Sequence, residues 1–206
     1  MFQGCTVLEY SVFSAPQITN SEEGEVSDNS IQVKLSGSVN VIVTALDRPV
    51  LRGLVGPYIL PPVIPVYWKF YPKTFPEQTL IEVRVSPGIK PVLFNPMKIR
   101  METDDGKELH PKGFNGPNGI TSSRNLAPPY RIEYPCMSTK DSFKTTVDAI
   151  LLDQPSCFFL LFDTSPDPRR KFTLLLKAIE QRDGIPIDIP PIYFMEAATW
   201  AFYTIP

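Results

Sequence analysis

A serine or cysteine nucleophile needs a histidine placed beside it, and this chain holds one histidine, His110. His110 precedes Pro111 on the return arm of an expected hairpin, which reads as an exposed or edge position. No Gly-x-Ser-x-Gly elbow, phosphate loop or dinucleotide fingerprint occurs. Cys5, Cys136 and Cys157 lack the close pairing that a zinc site requires. Asp104-Asp105-Gly106 brings two carboxylates together but lacks the further ligands of an EF-type calcium loop, so its chemistry is that of a turn. A glycosidase would need two carboxylates facing each other across a cleft, and no pair stands out among the 22 acidic residues. The expectation is a chain without catalytic residues, metal or cofactor. A hydrolase remains the competing class, and it would require a cleft with converging carboxylates of perturbed pKa.

The charge balance narrows the partners. With 20 basic and 22 acidic residues the net charge is −2, which offers no electrostatic reason to expect nucleic acid or an anionic membrane. The apolar fraction of 43% is enough to build a core. The 23 prolines are roughly twice the usual ~5% share. Proline removes a backbone donor and breaks helices, so this composition favours short strands, edges and ordered loops. The most apolar stretch, Leu54 to Tyr71, is interrupted by Pro57, Pro61, Pro62 and Pro65 and does not read as a membrane-spanning helix.

The elements that must position any site read as strands. Ile31, Val33, Leu35, Val39, Val41, Val43 and Ala45 all occupy odd positions, with polar residues between them, so a strand with one buried face is expected over 31–45. Gly37 marks a bulge or bend within it. Further strands are expected at 6–13, 67–71, 79–86, 97–102, 108–110, 130–134, 143–152, 157–162, 172–179, 192–195 and 199–204. In 79–86, Ile81, Val83 and Val85 share one face, and Glu82 and Arg84 the other. Asp104 to Lys107 and Arg182 to Gly184 are hairpin signals. Residues 141–152 also fit a helix face through Phe143, Val147, Ile150 and Leu151, and that alternative stays open. Short strands with frequent turns point to an all-β, antiparallel sandwich with few or no helices. The expected organisation is an N-terminal unit, residues 1–30, and a sandwich domain, residues 31–206. In the first, a strand is followed by a mobile acidic loop over 14–30 carrying Glu22, Glu23, Glu25 and Asp28.

One internal echo is visible. Gly56 leads to Pro61-Pro62-Val63 and then Trp68-Lys69-Phe70-Tyr71, as Gly184 leads to Pro190-Pro191-Ile192 and then Trp200-Ala201-Phe202-Tyr203. Equivalent edge strands or coincidence both fit.

Function must then rest on loops. The stretch 111–129 is long and rich in Gly, Asn, Ser and Pro, which places it on the surface. Phe114, Asn115, Asn118, Ser122, Ser123 and Arg124 give it an aromatic and an arginine among small polar residues, the composition of a protein-recognition loop. Cys136 and Cys157 adjoin expected strands. In an oxidising compartment their disulfide would contribute about 3 kcal/mol, and in a reducing one they would be buried thiols.

Phe2-Gln3-Gly4-Cys5 resembles the end of a bacterial lipobox, in which a small residue precedes the cysteine that is acylated. Gln3 departs from the favoured small residue, and no apolar leader precedes it. The resemblance implies lipidation of Cys5, a periplasmic location and outer-membrane anchoring, with 14–30 as the polar tether. Together with the sandwich and Pro61-Pro62-Val63-Ile64-Pro65, the chain resembles small bacterial envelope lipoproteins with an immunoglobulin-like fold. Some of these are immunity proteins for secreted antibacterial effectors. That resemblance implies a protein partner, a secreted toxin or effector, whose active site the loops block. The alternative is a structural or assembly component of the envelope or secretion apparatus.

Overall fold

The structure is a computed structural model that describes residues 5–18, 24–27, 29–46, 50–55, 78–119, 142–164 and 170–205. The described residues form an all-β antiparallel sandwich without an α-helix. The first sheet has the order β5 (Val50–Val55), β1 (Cys5–Gln17), β15 (Ile192–Ile205), β13 (Phe172–Leu176), β8 (Ile99–Thr103), β9 (Glu108–Leu109). The second runs β10 (Gly113–Gly119), β12 (Ser156–Phe162), β6 (Thr79–Ser86), β4 (Asn40–Ala45), β3 (Ser30–Lys34), β2 (Gly24–Ser27). A third, small sheet has β7 (Val92–Phe94) between β11 (Ile150–Leu152) and β14 (Ile179–Gln181).

One apolar core joins all three sheets. Ile31, Val43, Val83 and Phe158 come from the second, Met101, Leu174 and Phe194 from the first, and Phe94 and Ile179 from the third. The Phe94 and Phe158 rings sit 4.5 Å apart, tying the third sheet to the second. Phe172 stacks on Phe194 at the same separation across β13 and β15. Burying each such side chain contributes about 1.5–3 kcal/mol, so a handful of them outweighs any polar contact on the surface.

The alternating run 31–45 is not one strand but a hairpin. β3 and β4 pair with Val33 opposite Val41 and Ile31 opposite Val43. A single 3-10 turn at Ser36–Ser38 reverses the chain, with Gly37 at φ +72°. Because each residue faces a partner of the same parity, the odd positions stay inward on both arms. Period two therefore survives the reversal. The expected strand 172–179 is divided in the same way: β13 ends at Leu176, and Ile179 starts β14 in a different sheet. Phe172, Leu174, Leu176 and Ala178 are nonetheless all buried.

Two loop expectations are corrected. β1 continues through Ser14 to Gln17, and β2 and Ser30 lie within the stretch expected to be mobile. Cys5 is itself a strand residue, opposite Ile205, and the strand it opens runs on into the stretch expected as a tether. Pro16 lies beyond Ser11, where β5 no longer pairs β1, and proline is tolerated in such a one-sided part of a strand. The expected surface loop 111–129 begins instead with β10, paired to β12. Of 143–152, only Ile150–Leu152 is strand, and residues 142–149 are neither helix nor strand. The 192–195 and 199–204 strands are one strand, β15. The expected strands 67–71 and 130–134, and the first member of the internal echo, lie outside the described residues.

Candidate functional site

The predicted recognition residues do not share a surface. Phe114 lies on the inward face of β10 and is fully buried in the core. Asn115 is on the opposite face, also buried, and its Oδ1 accepts a hydrogen bond of 2.7 Å from Asn118 Nδ2. Phe114 and Asn115 are therefore corrected from surface contacts to packing residues, because β12 (Ser-Cys-Phe-Phe-Leu-Leu-Phe) is apolar on both faces and draws β10 into the sheet. Asn118 is half-buried, and Ser122, Ser123 and Arg124 lie outside the described residues. Cys157 is buried in β12, opposite Arg84 and Asn118. Its expected disulfide partner Cys136 lies outside the described residues.

The outward face of the second sheet carries an unexpected polar row. Register sets Ser30, Thr44, Glu82, Phe159 and Asn115 side by side, with Gln32, Ile42, Arg84, Cys157 and Asn118 alongside. Glu82 is only 2% exposed and is held by the Arg84 guanidinium. A carboxylate removed from water needs such a partner, so the pair reads as structural compensation. Leu80, Cys157, Phe159 and Leu161 form a second apolar cluster on this face, with Phe143 and Leu46 packed against it. The alternation Glu82-Val83-Arg84 was legible as a two-faced strand, but the covering of its outer face was not.

Among the described residues no group of three or more His, Cys, Asp or Glu side chains is placed to hold a metal ion. His110 is exposed, with Nε2 3.6 Å from Glu108. Glu108 is already paired to Arg100 at 2.8 Å. Asp104 to Lys107 forms the expected β8–β9 turn, with Gly106 at φ +79°. There the Lys107 ammonium, at 2.6 Å, and the Thr103 hydroxyl hold the Asp105 carboxyl down to about 2. The carboxyl is exposed on the turn, and these contacts stabilise the turn.

One end of the second sheet presents a different kind of surface. Asn40 faces Ser86 and Ser156 faces Val85, so the β3–β4 turn, the β6–β7 connection and residues 153–155 emerge at the same end. The β6–β7 connection carries Ile89, which is 91% exposed, followed by exposed Lys90. Beside it, Gly88 packs backbone to backbone on the turn: a Cβ there would lie 2.0 Å from the Gly37 carbonyl oxygen and 2.9 Å from the Ser38 carbonyl carbon. Ser38 adopts φ +64°, a conformation that costs a non-glycine residue about 1–2 kcal/mol. Asn40 Oδ1, in the strand leaving that turn, is buried with no hydrogen-bond partner among the described residues. Strain and an unmet acceptor thus gather at the foot of a tip that exposes a large apolar side chain. Sequence reasoning ended a strand at residue 86, ahead of Pro87-Gly88. The signal available was the isoleucine directly after it, where a turn ordinarily carries a polar residue.

Comparison of the chain with protein families, with curated proteins and with solved structures gave no match.

Proposed function

We propose that this chain is a non-enzymatic binding protein whose partner is another protein, gripped at the end of the second sheet that carries Ile89. The observation that carries this reading is the tip itself: an exposed apolar side chain directly beside a backbone junction that admits no Cβ. Isoleucine in water is costly, at about 25 cal/mol per Å² of apolar surface left exposed. Local strain that the surrounding structure maintains is characteristic of binding and switching sites. A pre-ordered tip loses little conformational freedom on association, so more of its contact energy becomes affinity.

In the fuller form of this reading the protein stands in the periplasm, anchored at the outer membrane by a lipid on Cys5. A Cys136–Cys157 disulfide belongs to that compartment. The partner is a secreted antibacterial effector, and the loops obstruct its active site, making this an immunity protein. The supports are the lipobox-like Phe2-Gln3-Gly4-Cys5 and the loop-bearing sandwich. The second reading, an assembly component of the envelope working through sheet edges, is favoured by the length of β15 beyond its pairing with β13.

The test is extraction from the native envelope with a photo-cross-linker at position 89, followed by mass spectrometry. A lipid adduct on the Cys5 peptide and one dominant secreted enzyme joined to position 89 is the expected result. Cross-links to envelope proteins alone support assembly. An unmodified Cys5 in a cytosolic fraction contradicts both envelope readings.

A further inference from the structure

We propose that the side of β15 facing away from β1, from Met195 to Ile205, pairs with the same strand of a second copy of this chain. β1 pairs along nearly all of β15, from Gln17 opposite Tyr193 to Cys5 opposite Ile205. On the other side β13 pairs only with Ile192, Tyr193 and Phe194. Among the described residues no strand continues that side. About 33 Å of extended backbone therefore has N–H and C=O groups on this side that no described strand pairs.

Among the described residues, the strands that end each sheet are blunted in ways that this edge is not. β2 has four residues, β11 and β14 three each, and β9 two. β10 contains Pro117, and β5 carries Arg52 and Gly53. Short length, proline, glycine and cationic side chains are the ordinary guards against unwanted pairing. Residues 195–205 contain no proline, glycine, lysine or arginine, and Glu196 is their single charge. They are rich in the threonine and aromatic residues that suit a pleated surface.

A second copy suits this edge better than a foreign strand because the sequence is compatible with itself. An antiparallel two-fold pairing centred on Trp200 sets Met195 opposite Ile205, Glu196 opposite Thr204 and Ala198 opposite Phe202. The charge never meets its like, which is what an isologous strand contact requires.

Amide hydrogen exchange on the full chain, at low and high micromolar concentration, tests this alongside sedimentation equilibrium. Alternate amides from Met195 to Ile205 bond β1, and they should be protected at both concentrations. The intervening amides should gain at least about tenfold protection as the chain passes from monomer to dimer, equivalent to ~1.4 kcal/mol. Intervening amides already protected in a monomer would mean that another part of the chain covers the edge, and the proposal fails. Intervening amides unprotected throughout would leave the edge bare or reserved for a foreign strand, and it also fails. A197P and A198P give a second readout. The one whose N–H faces outward should keep β1 pairing and abolish the dimer.

Discussion

Replacing Gly88 with alanine should damage the fold far more than an exposed glycine substitution ordinarily does. The added Cβ would stand 2.0 Å from the Gly37 oxygen and 2.9 Å from the Ser38 carbonyl carbon. Both are backbone atoms of a turn already at φ +72° and +64°, so neither can step aside by a side-chain rotation. Relief requires about 1 Å of backbone separation between the two loops, because real Cβ atoms essentially never come within 3.0 Å of a neighbour. Overpacking of this kind costs about 2–4 kcal/mol. With an m-value near 2 kcal/mol per M, the urea midpoint should fall by roughly 1–2 M. Gly184→Ala supplies the control: its φ is +84°, but nothing lies within 4 Å of the added atom. That variant should lose only the ~1–2 kcal/mol of the left-handed conformation. If G88A unfolds within about 0.5 kcal/mol of the unmodified protein, the junction geometry is wrong.

Other expectations follow from the same structure. Removing the Lys107 ammonium should let the Asp105 pKa climb from about 2 toward 3.8, read by NMR titration of the carboxyl carbon. Because the folded value is depressed, the turn's electrostatic contribution is complete above pH 3.8 and disappears as pH falls through about 2. Asp105→Asn should flatten stability in that window. Arg84→Ala leaves the Glu82 carboxylate buried without its cation. Arg84 is 28% exposed, so water offsets part of the loss, and about 2–3 kcal/mol is expected in urea unfolding. Adding Glu82→Gln should recover part of that loss, and no recovery would count against the pair as the reason Glu82 is tolerated.

The sequence revealed which side chains face the core better than it revealed where the chain turns. Ile31, Val33, Val39, Val41, Val43 and Ala45 were identifiable as a buried set, with Leu35 half-buried beside them. Their division into β3 and β4 was hidden, because a hairpin pairing residues of like parity leaves the alternation unbroken. β10 was hidden for a different reason. Gly113-Phe-Asn-Gly-Pro-Asn-Gly has every local mark of a loop, and only the doubly apolar β12 beside it makes a strand the better outcome. Local propensity is a weak prior against such tertiary pairing. That error displaced the recognition site, since it moved Phe114 and Asn115 from solvent into packing. The Ile89 tip depends on contact between loops some fifty residues apart in the chain, from Gly37 to Gly88, and no spacing rule reports that.

The proposed protein partner seats on the end carrying Ile89. Titration calorimetry of the partner cross-linked at position 89 tests this most directly, comparing the unmodified chain with I89D and with L151D. Leu151 is also exposed, but it lies on the third sheet, on a different element from the Ile89 loop. I89D should weaken binding at least about tenfold, a loss of ~1.4 kcal/mol or more, with thermal unfolding unchanged. L151D should bind within about twofold of the unmodified chain, below ~0.5 kcal/mol. Equal affinity for I89D and the unmodified chain would contradict the account.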